Sequence, residues 1–475
     1  MKRSKKLYIL LAVLVVACVA TFIVVHHEER KEEIANTDEV VLEIDSADVT
    51  ALSWEYDDAS FSFSNEDGWT YDEDAAFPVD EEKINTLLGQ FESFAAAFII
   101  ENAEDISQYG LDDPVCTINI ETNDESYEIK LGNYSSMDSE RYVSTGDGNV
   151  YLVDEDPYDS FAIELKDMIL NDEIPTLGRV DSMEFAGDES YSVVYEEDST
   201  DTYCEEDVYF TSKDGKNKPL DTDLTDAYIN TVSSLDLTEY VTYNASDEDI
   251  AAYGLDDPEL SISIDYTYTN EDEESESGTV ELSISRDPEE IAQAASEDED
   301  ADSSSEDSED EEDEITAYAR VGQSKIIYKI TSDEYKALMA YTYNDLRHQE
   351  ILSADFDDIT QIDISLEGND YTLVSKEEDD ALLWYYDDEV IDAEDLQAAV
   401  EALTADSFTD DEPDGKEEIS VTVHLDNENF PEVEMTFYRY DGATCIAETD
   451  GEPVAYVERQ LVVSLIEAVN AIVLN

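Results

Sequence analysis

Tyr109-Gly110-Leu111-Asp112-Asp113-Pro114 recurs letter for letter as Tyr253-Gly254-Leu255-Asp256-Asp257-Pro258. A six-residue identity is not expected by chance, even in a chain so rich in aspartate. The sequence therefore predicts a duplicated module. Each copy follows a segment with helical character, residues 103–109 in the first and residues 247–253 in the second.

The hexapeptide has the composition of a helix ending. Gly110 and Gly254 stand where a helix would stop, because glycine adopts the left-handed backbone conformation without a Cβ penalty. In the Schellman form of this ending, the leucine after the glycine packs on Ile106 or Ile250. The proline then forces its predecessor into an extended conformation, and alternating apolar residues predict a strand with one buried face. We interpret the motif as helix stop, turn and strand start; the alternative is that its paired aspartates form an ion or ligand site.

The order of apolar segments around the hexapeptide recurs and predicts three modules, at 39–172, 173–350 and 351–475. The third is divergent, because Asp411-Glu412-Pro413 stands where the hexapeptide would be. The expected fold class is α+β, with tandem repeated modules of antiparallel sheet plus helices. Residues 297–314 contain 13 acidic side chains among 18, and a disordered acidic loop is expected over 289–314, inside the second module.

The amino terminus predicts a membrane anchor. Residues 7–25 carry no charge, and at about 1.5 Å per residue they would span about 28 Å, close to the thickness of a bilayer core. The basic tail 1–6 is expected in the cytoplasm and the bulk of the chain outside the cell membrane, with 26–38 as a juxtamembrane spacer. Because Val15-Val16-Ala17-Cys18 resembles a lipoprotein cleavage box, a lipidated Cys18 is the alternative, although the apolar run continues beyond it.

The charge of the chain excludes one class of partner. Asp and Glu total 125 against 24 Lys and Arg, which gives a formal net charge of −101. Such a surface repels phosphate groups, so we expect no nucleic-acid partner. The surplus of carboxylates favours diffuse binding of divalent cations.

The sequence contains no recognisable catalytic motif. There is no P-loop, dinucleotide fingerprint, G-x-S-x-G or HExxH, and none of the four histidines lies in a nucleophile motif. The cysteines show no CxxC or His/Cys zinc spacing and are expected to be unpaired apolar residues: Cys18, Cys116, Cys204 and Cys445. We expect no catalytic residue, no cofactor and no metal ligand. A hydrolase using an Asp/Glu pair is the alternative left open.

Both hexapeptides, the PVDEEKINTLL helix at 78–88 and the RYV…VYLVD run at 141–154 carry a family resemblance. The chain resembles domain of unknown function 4340, a bacterial family of membrane-anchored extracytoplasmic proteins. The resemblance covers the first two predicted modules, and the third departs from it. It implies a non-enzymatic accessory or scaffold of an ABC-type envelope transport system, similar to gliding-motility auxiliaries, with the membrane and transporter subunits as partners. The alternative function is a cell-surface binding module for cell-wall or glycan ligands.

Overall fold

The computed structural model describes residues 39–136, 139–213, 215–270, 273–293, 315–378 and 381–474. The predicted cytoplasmic tail, anchor and spacer lie outside these residues. Within them, no helix has both the length and the apolar character needed to cross a membrane. Residues 288–293 are helical, so the expected disorder over 289–314 does not hold for its first five residues. The rest of that predicted loop, 294–314, is not among the described residues.

The described residues form an α+β fold whose strands pair in antiparallel fashion. They divide into two compact units. Unit 1 contains the described residues up to Asp172 together with Thr242–Asn244. Unit 2 contains Glu173–Val241 and the described residues from Ala245 onward.

Unit 1 contains one large sheet. Its strands are β1 Glu39–Leu42, β2 Val49–Tyr56, β3 Ala59–Asn65, β4 Trp69–Tyr71, β5 Phe94–Ala96, β6 Phe98–Ile100, β7 Cys116–Thr122, β8 Ser126–Ser135, β9 Glu140–Ser144 and β10 Val150–Val153. Its helices are α1 Glu81–Gly89 and α2 Tyr158–Phe161, with 3-10 turns at Ser46–Asp48, Ser107–Tyr109 and Leu165–Met168. The large sheet has the order β4-β3-β2-β7-β8-β9-β10-β6, and β1 pairs separately with β5.

The second large sheet has nine strands. They are β11 Arg179–Gly187, β12 Tyr191–Tyr195, β13 Tyr209–Lys213, β14 Lys216–Pro219, β15 Tyr240–Thr242, β16 Leu260–Thr269, β17 Ser275–Arg286, β18 Ala317–Val321 and β19 Ile327–Ile330. Their order is β14-β13-β12-β11-β16-β17-β18-β19-β15. The accompanying helices are α3 Thr222–Ser233, α4 Asp247–Ala252, α5 Ser332–Met339 and α6 Tyr343–Leu346.

The third large sheet, in unit 2, also has nine strands. They are β20 Ile359–Leu366, β21 Asn369–Glu378, β22 Ala381–Tyr386, β23 Glu389–Ile391, β24 Ser407–Phe408, β25 Glu417–Leu425, β26 Glu432–Arg439, β27 Thr444–Thr449 and β28 Glu452–Glu458. Their order is β23-β22-β21-β20-β25-β26-β27-β28-β24. A 3-10 turn at Phe356–Asp358 precedes the sheet, and its helices are α7 Glu394–Glu401 and α8 Arg459–Val473.

The three large sheets share their central pairing. In each, the opening strand pairs with a later strand of the same sheet: β2 with β7, β11 with β16 and β20 with β25. The register of each pair shifts near the start of the opening strand, at Val49/Ala51, Val180/Ser182 and Ile359/Gln361. Such a bulge inserts one residue and increases the local twist. One strand order and one irregularity therefore recur in all three sheets, except that the first sheet has eight strands and lacks the outermost strand that corresponds to β14 and β23.

The core of unit 1 follows from alternation along these strands. On β2, Leu52 and Trp54 are fully buried, and they lie opposite Ile120 and Ile118 of β7, which are equally buried. Helix α1 packs its apolar face into the same unit. It begins after Asp80, whose carboxylate accepts hydrogen bonds from two backbone N–H groups of the first turn. Asp80 is therefore the N-cap of α1, a position that favours aspartate because its carboxylate can accept from the free N–H groups of the first turn.

Candidate functional site

Both hexapeptide glycines adopt the backbone conformation that the sequence indicates. The φ angle is 71° at Gly110 and 73° at Gly254, in the left-handed region. Two backbone hydrogen bonds close each turn: Gly110 N–H to Ser107 O at 3.0 Å, Leu111 N–H to Ile106 O at 3.2 Å, Gly254 N–H to Ala251 O at 3.1 Å and Leu255 N–H to Ile250 O at 2.9 Å. This pair of bonds defines the Schellman motif.

The tyrosine and the leucine of each hexapeptide make packing contacts. The Tyr109 ring lies 4.8 Å from that of Tyr142 on β9, and the Tyr253 ring lies 4.7 Å from that of Tyr318 on β18. The two leucines are buried, whereas the four aspartates are exposed: Asp112, Asp113, Asp256 and Asp257. Pro114 and Pro258 are half-buried. The tyrosine, glycine and leucine of each copy are therefore held in folding contacts.

The two copies differ in the helix that precedes the glycine. The second follows helix α4, which starts at a capping box between Ser246 and Asp249. The first follows only a three-residue 3-10 turn, so the predicted helix over 103–109 is wrong. Asn102 explains the difference, because its φ of 52° lies in the left-handed region and its backbone N–H donates to the side chain of Asn149. The chain therefore turns where the second copy begins a helix, and Ile106 is left 38% exposed.

A second group of residues, which the sequence did not predict as a site, meets between the second and third sheets of unit 2. We call it the junction cluster, and it consists of Cys204, Asp207, Asp221, His348 and Glu350. The first two lie in the connection between β12 and β13, and Asp221 is the N-cap of α3. The other two lie in the segment that follows α6 and leads toward the third sheet.

The centre of the junction cluster is a buried carboxylate. The side chain of Asp207 is 1% exposed. Its Oδ1 lies 2.8 Å from Nε2 of His348, and its Oδ2 accepts a hydrogen bond from Oγ1 of Thr202 at 2.5 Å. Because Asp207 precedes His348 by 141 positions, only the tertiary fold brings the two together.

The second nitrogen of His348 also faces carboxylates. Nδ1 lies 3.6 Å from Oδ2 of Asp221 and 4.0 Å from Oε2 of Glu350. The side chain of His348 is 18% exposed, so this imidazole lies largely inside the protein between two groups of acceptors. The cluster can therefore hold a proton or a metal ion on either side of the ring.

The surroundings change the pKa of two members of the cluster. Burial lowers the pKa of His348, but the hydrogen bond to Asp207 and the negative charges of Asp207, Asp221 and Glu350 outweigh it, so the pKa lies above 6.5. Burial, followed by the charge of Asp207, raises the pKa of the Cys204 thiol to about 11. Without a metal ion, the thiol is protonated at neutral pH.

Packing around the cluster fixes the segment that carries His348. The guanidinium of Arg347 lies 5.0 Å from the ring centre of Tyr343 on α6 and 4.0 Å from that of Phe408 on β24. Further along, Ile351 N–H donates to Leu403 O at 2.9 Å. The backbone of this segment therefore has defined contacts on both sides of the cluster.

Sequence spacing could not have revealed the junction cluster. Its cysteine, its histidine and its aspartates come from three separate stretches of chain, so no short metal-binding pattern exists. The described cysteines are free, as expected, but Cys204 is only partly buried, whereas Cys116 and Cys445 are buried. In the sequence, the closest indication of the junction cluster is that the polar residue Asp207 follows Cys204 by three positions.

The described part of the chain defines a class, namely an α+β protein of large antiparallel sheets and mostly short helices. Residues 69–258 match the family described as Domain of unknown function (DUF4340), which confirms the predicted resemblance over this stretch. The match includes both hexapeptides, begins at β4 and ends just before β16, so it does not span the whole of either of the first two predicted modules. A search of curated proteins and a search of solved structures each found no match to the chain.

Proposed function

We propose that the protein is a non-enzymatic, membrane-tethered extracytoplasmic scaffold that serves as an accessory component of an ABC-type envelope transport system. The observation that carries this proposal is the recurrence of one strand order and one bulge position in three large sheets. We take these sheets as copies of one module arranged in tandem. Tandem modules offer several related surfaces on one chain, which suits a protein that organises partners.

The proposed membrane topology depends on the amino-terminal sequence. The uncharged run 7–25 follows a basic tail, and this arrangement favours a single-pass anchor with the amino terminus in the cytoplasm. The module array then lies outside the membrane, with most of the 125 acidic side chains. Transporter subunits in the same membrane are the partners that such an anchor brings within reach.

Co-purification tests the proposal. The full-length chain, tagged at the carboxyl terminus, is recovered from membranes solubilised in several mild detergents and compared with a tagged chain of residues 1–38 alone. We expect permease and ATPase subunits to be enriched with the full-length chain, because the modules supply the binding surface. Recovery of no transporter subunit in any detergent, or equal recovery with the short chain, contradicts the proposal.

One observation favours a cell-wall or glycan ligand as the second candidate. Tyr440 is 55% exposed and its ring lies 5.0 Å from that of Tyr456, whose hydroxyl donates to Asp411. An exposed aromatic pair beside a carboxylate offers an apolar face and a polar handle to a sugar. Sedimentation with isolated peptidoglycan tests it: Tyr440→Ala should reduce co-sedimentation, whereas Tyr134→Ala, which removes a tyrosine 50% exposed in unit 1, should not.

A further inference from the structure

The junction cluster brings together three side chains of different chemistry. A thiol and a carboxylate from the connection between β12 and β13 meet an imidazole from the segment after α6, and the atoms that could bind an ion lie within 4.8 Å of one another. We propose that Cys204, Asp207 and His348 bind one divalent transition-metal ion of the zinc class. This proposal replaces the expectation from sequence that no residue is a metal ligand, and it does not depend on the proposed scaffold function.

Burial separates this group from the acidic surface. Most carboxylates among the described residues are exposed and can bind cations only diffusely, whereas the side chain of Asp207 is 1% exposed. A buried carboxylate is stable only when it is paired or coordinated. Its partners here are the imidazole Nε2, the Thr202 hydroxyl and the thiol of Cys204. The thiol and the imidazole are the two partners that can exchange a proton for a metal ion.

A second observation comes from the other side of the imidazole ring. Histidines that bind a metal usually direct their remaining N–H toward a carboxylate, which fixes the ring and the tautomer. If Nε2 of His348 binds the ion, Nδ1 faces Oδ2 of Asp221 at 3.6 Å. Asp221 is itself fixed as the N-cap of α3, where its side chain accepts from Leu224 N–H. Asp221 therefore occupies the position of the carboxylate that orients a metal-binding histidine.

The ligand types indicate the class of ion. Calcium and magnesium take oxygen ligands, whereas a set with one sulfur, one nitrogen and one oxygen suits zinc and similar transition metals. Three protein ligands leave a fourth position for water or another small ligand. On binding, the Cys204 thiol releases its proton to solvent as the Sγ–metal bond forms, and the imidazole binds through Nε2 with its proton on Nδ1.

The metal ion would connect two distant parts of unit 2. Cys204 and Asp207 belong to the connection between β12 and β13, and His348 belongs to the segment that leads to the third sheet. Tyr203, next to the cysteine, already packs against the core of the third sheet. An ion at this point would therefore fasten the second sheet to the third.

Cobalt spectroscopy distinguishes this site from diffuse binding. The full-length chain in detergent, treated with a chelator, is titrated with Co²⁺ in the presence of excess Mg²⁺, which occupies the surface carboxylates. We expect a thiolate-to-cobalt charge-transfer band that saturates at one equivalent and disappears when Zn²⁺ displaces Co²⁺. Cys204→Ser should abolish the band, and His348→Gln should weaken Co²⁺ binding by at least about tenfold.

A matched control is provided by His424, whose Nε2 lies 2.8 Å from Asp363, the same distance as in the cluster, on the third sheet. His424→Gln should leave the band and the affinity unchanged. The proposal is overturned by a wild-type chain without the band, by a band that persists in Cys204→Ser, or by His424→Gln and His348→Gln having the same effect. Far-ultraviolet circular dichroism of each variant without metal confirms folding, and if His348→Gln fails to fold, Cys204→Ser still decides the result.

Discussion

Replacing Gly254 by alanine probes the turn that the repeated hexapeptide builds. Its φ of 73° lies where alanine is strained, and an added Cβ would lie 2.8 Å from Oγ of Ser285 and 3.3 Å from Cγ of Pro288. Ser285 is 2% exposed, so its hydroxyl has little room to move. The substitution therefore combines backbone strain with overpacking.

The magnitude follows from these two contributions. A non-glycine residue in the left-handed region costs about 1 to 2 kcal/mol, and overpacking in a filled site costs about 1 to 3 kcal/mol more. We expect Gly254→Ala to lower the free energy of unfolding of unit 2 by about 2 to 5 kcal/mol. Gly451 has a φ of 77° but no atom within 4 Å of an added Cβ. Gly451→Ala should therefore lower the free energy of unfolding by only about 1 to 2 kcal/mol. Gly442 shows neither feature, so its alanine variant should be close to neutral.

Hydrogen–deuterium exchange mass spectrometry during urea titration measures the three variants. Peptides from the second and third sheets report the unfolding midpoint of each sheet, which a single spectroscopic signal would merge. We expect Gly442→Ala to be the most stable of the three variants, Gly451→Ala to be intermediate and Gly254→Ala to be the least stable. A Gly254→Ala variant no less stable than Gly451→Ala would refute the contribution from packing, and one equal to Gly442→Ala would refute the reasoning entirely.

Four further substitutions, one of them a control, test local contacts. Asp80→Ala removes the N-cap of α1 and should destabilise unit 1 by about 1 kcal/mol in urea unfolding; an unchanged midpoint would mean that the cap is dispensable. Thr225→Val should stabilise unit 2 by about 1 kcal/mol, because the buried Thr225 hydroxyl has no partner among the described residues; Thr436→Val, which breaks a hydrogen bond to a serine hydroxyl, should destabilise it instead. Burial raises the pKa of Glu259, but hydrogen bonds from Arg286 outweigh the effect of burial and hold the pKa below 4.5. The ionised carboxylate therefore contributes its full stabilisation above pH 4.5. That contribution is lost as the pH falls through the lowered pKa of the folded protein. Glu259→Gln should therefore be less stable than the wild type at pH 7 and equal to it at strongly acidic pH, and a difference that persists in acid would contradict this.

Local features of the fold could be predicted from sequence because they depend on neighbouring residues. The left-handed glycines, the backbone hydrogen bonds of the two turns and the Asp80 cap each involve contacts within five positions. The helix predicted over 103–109 failed for a reason that is not local: Asn102 is held by Asn149. A tertiary contact of this kind overrides helix propensity.

By itself, the sequence determined the α+β class, the two glycine turns and the alternation of buried and exposed strand residues, since hydrophobic periodicity and glycine conformation act over a few positions. The tertiary structure alone decided the shared strand order of the three sheets and the assembly of the junction cluster. Asp207 and His348 lie 141 positions apart, and only strand pairing and the packing of the segment after α6 bring them within 2.8 Å. Short-range preferences decide the elements of this protein, whereas long-range packing decides which side chains share one buried site.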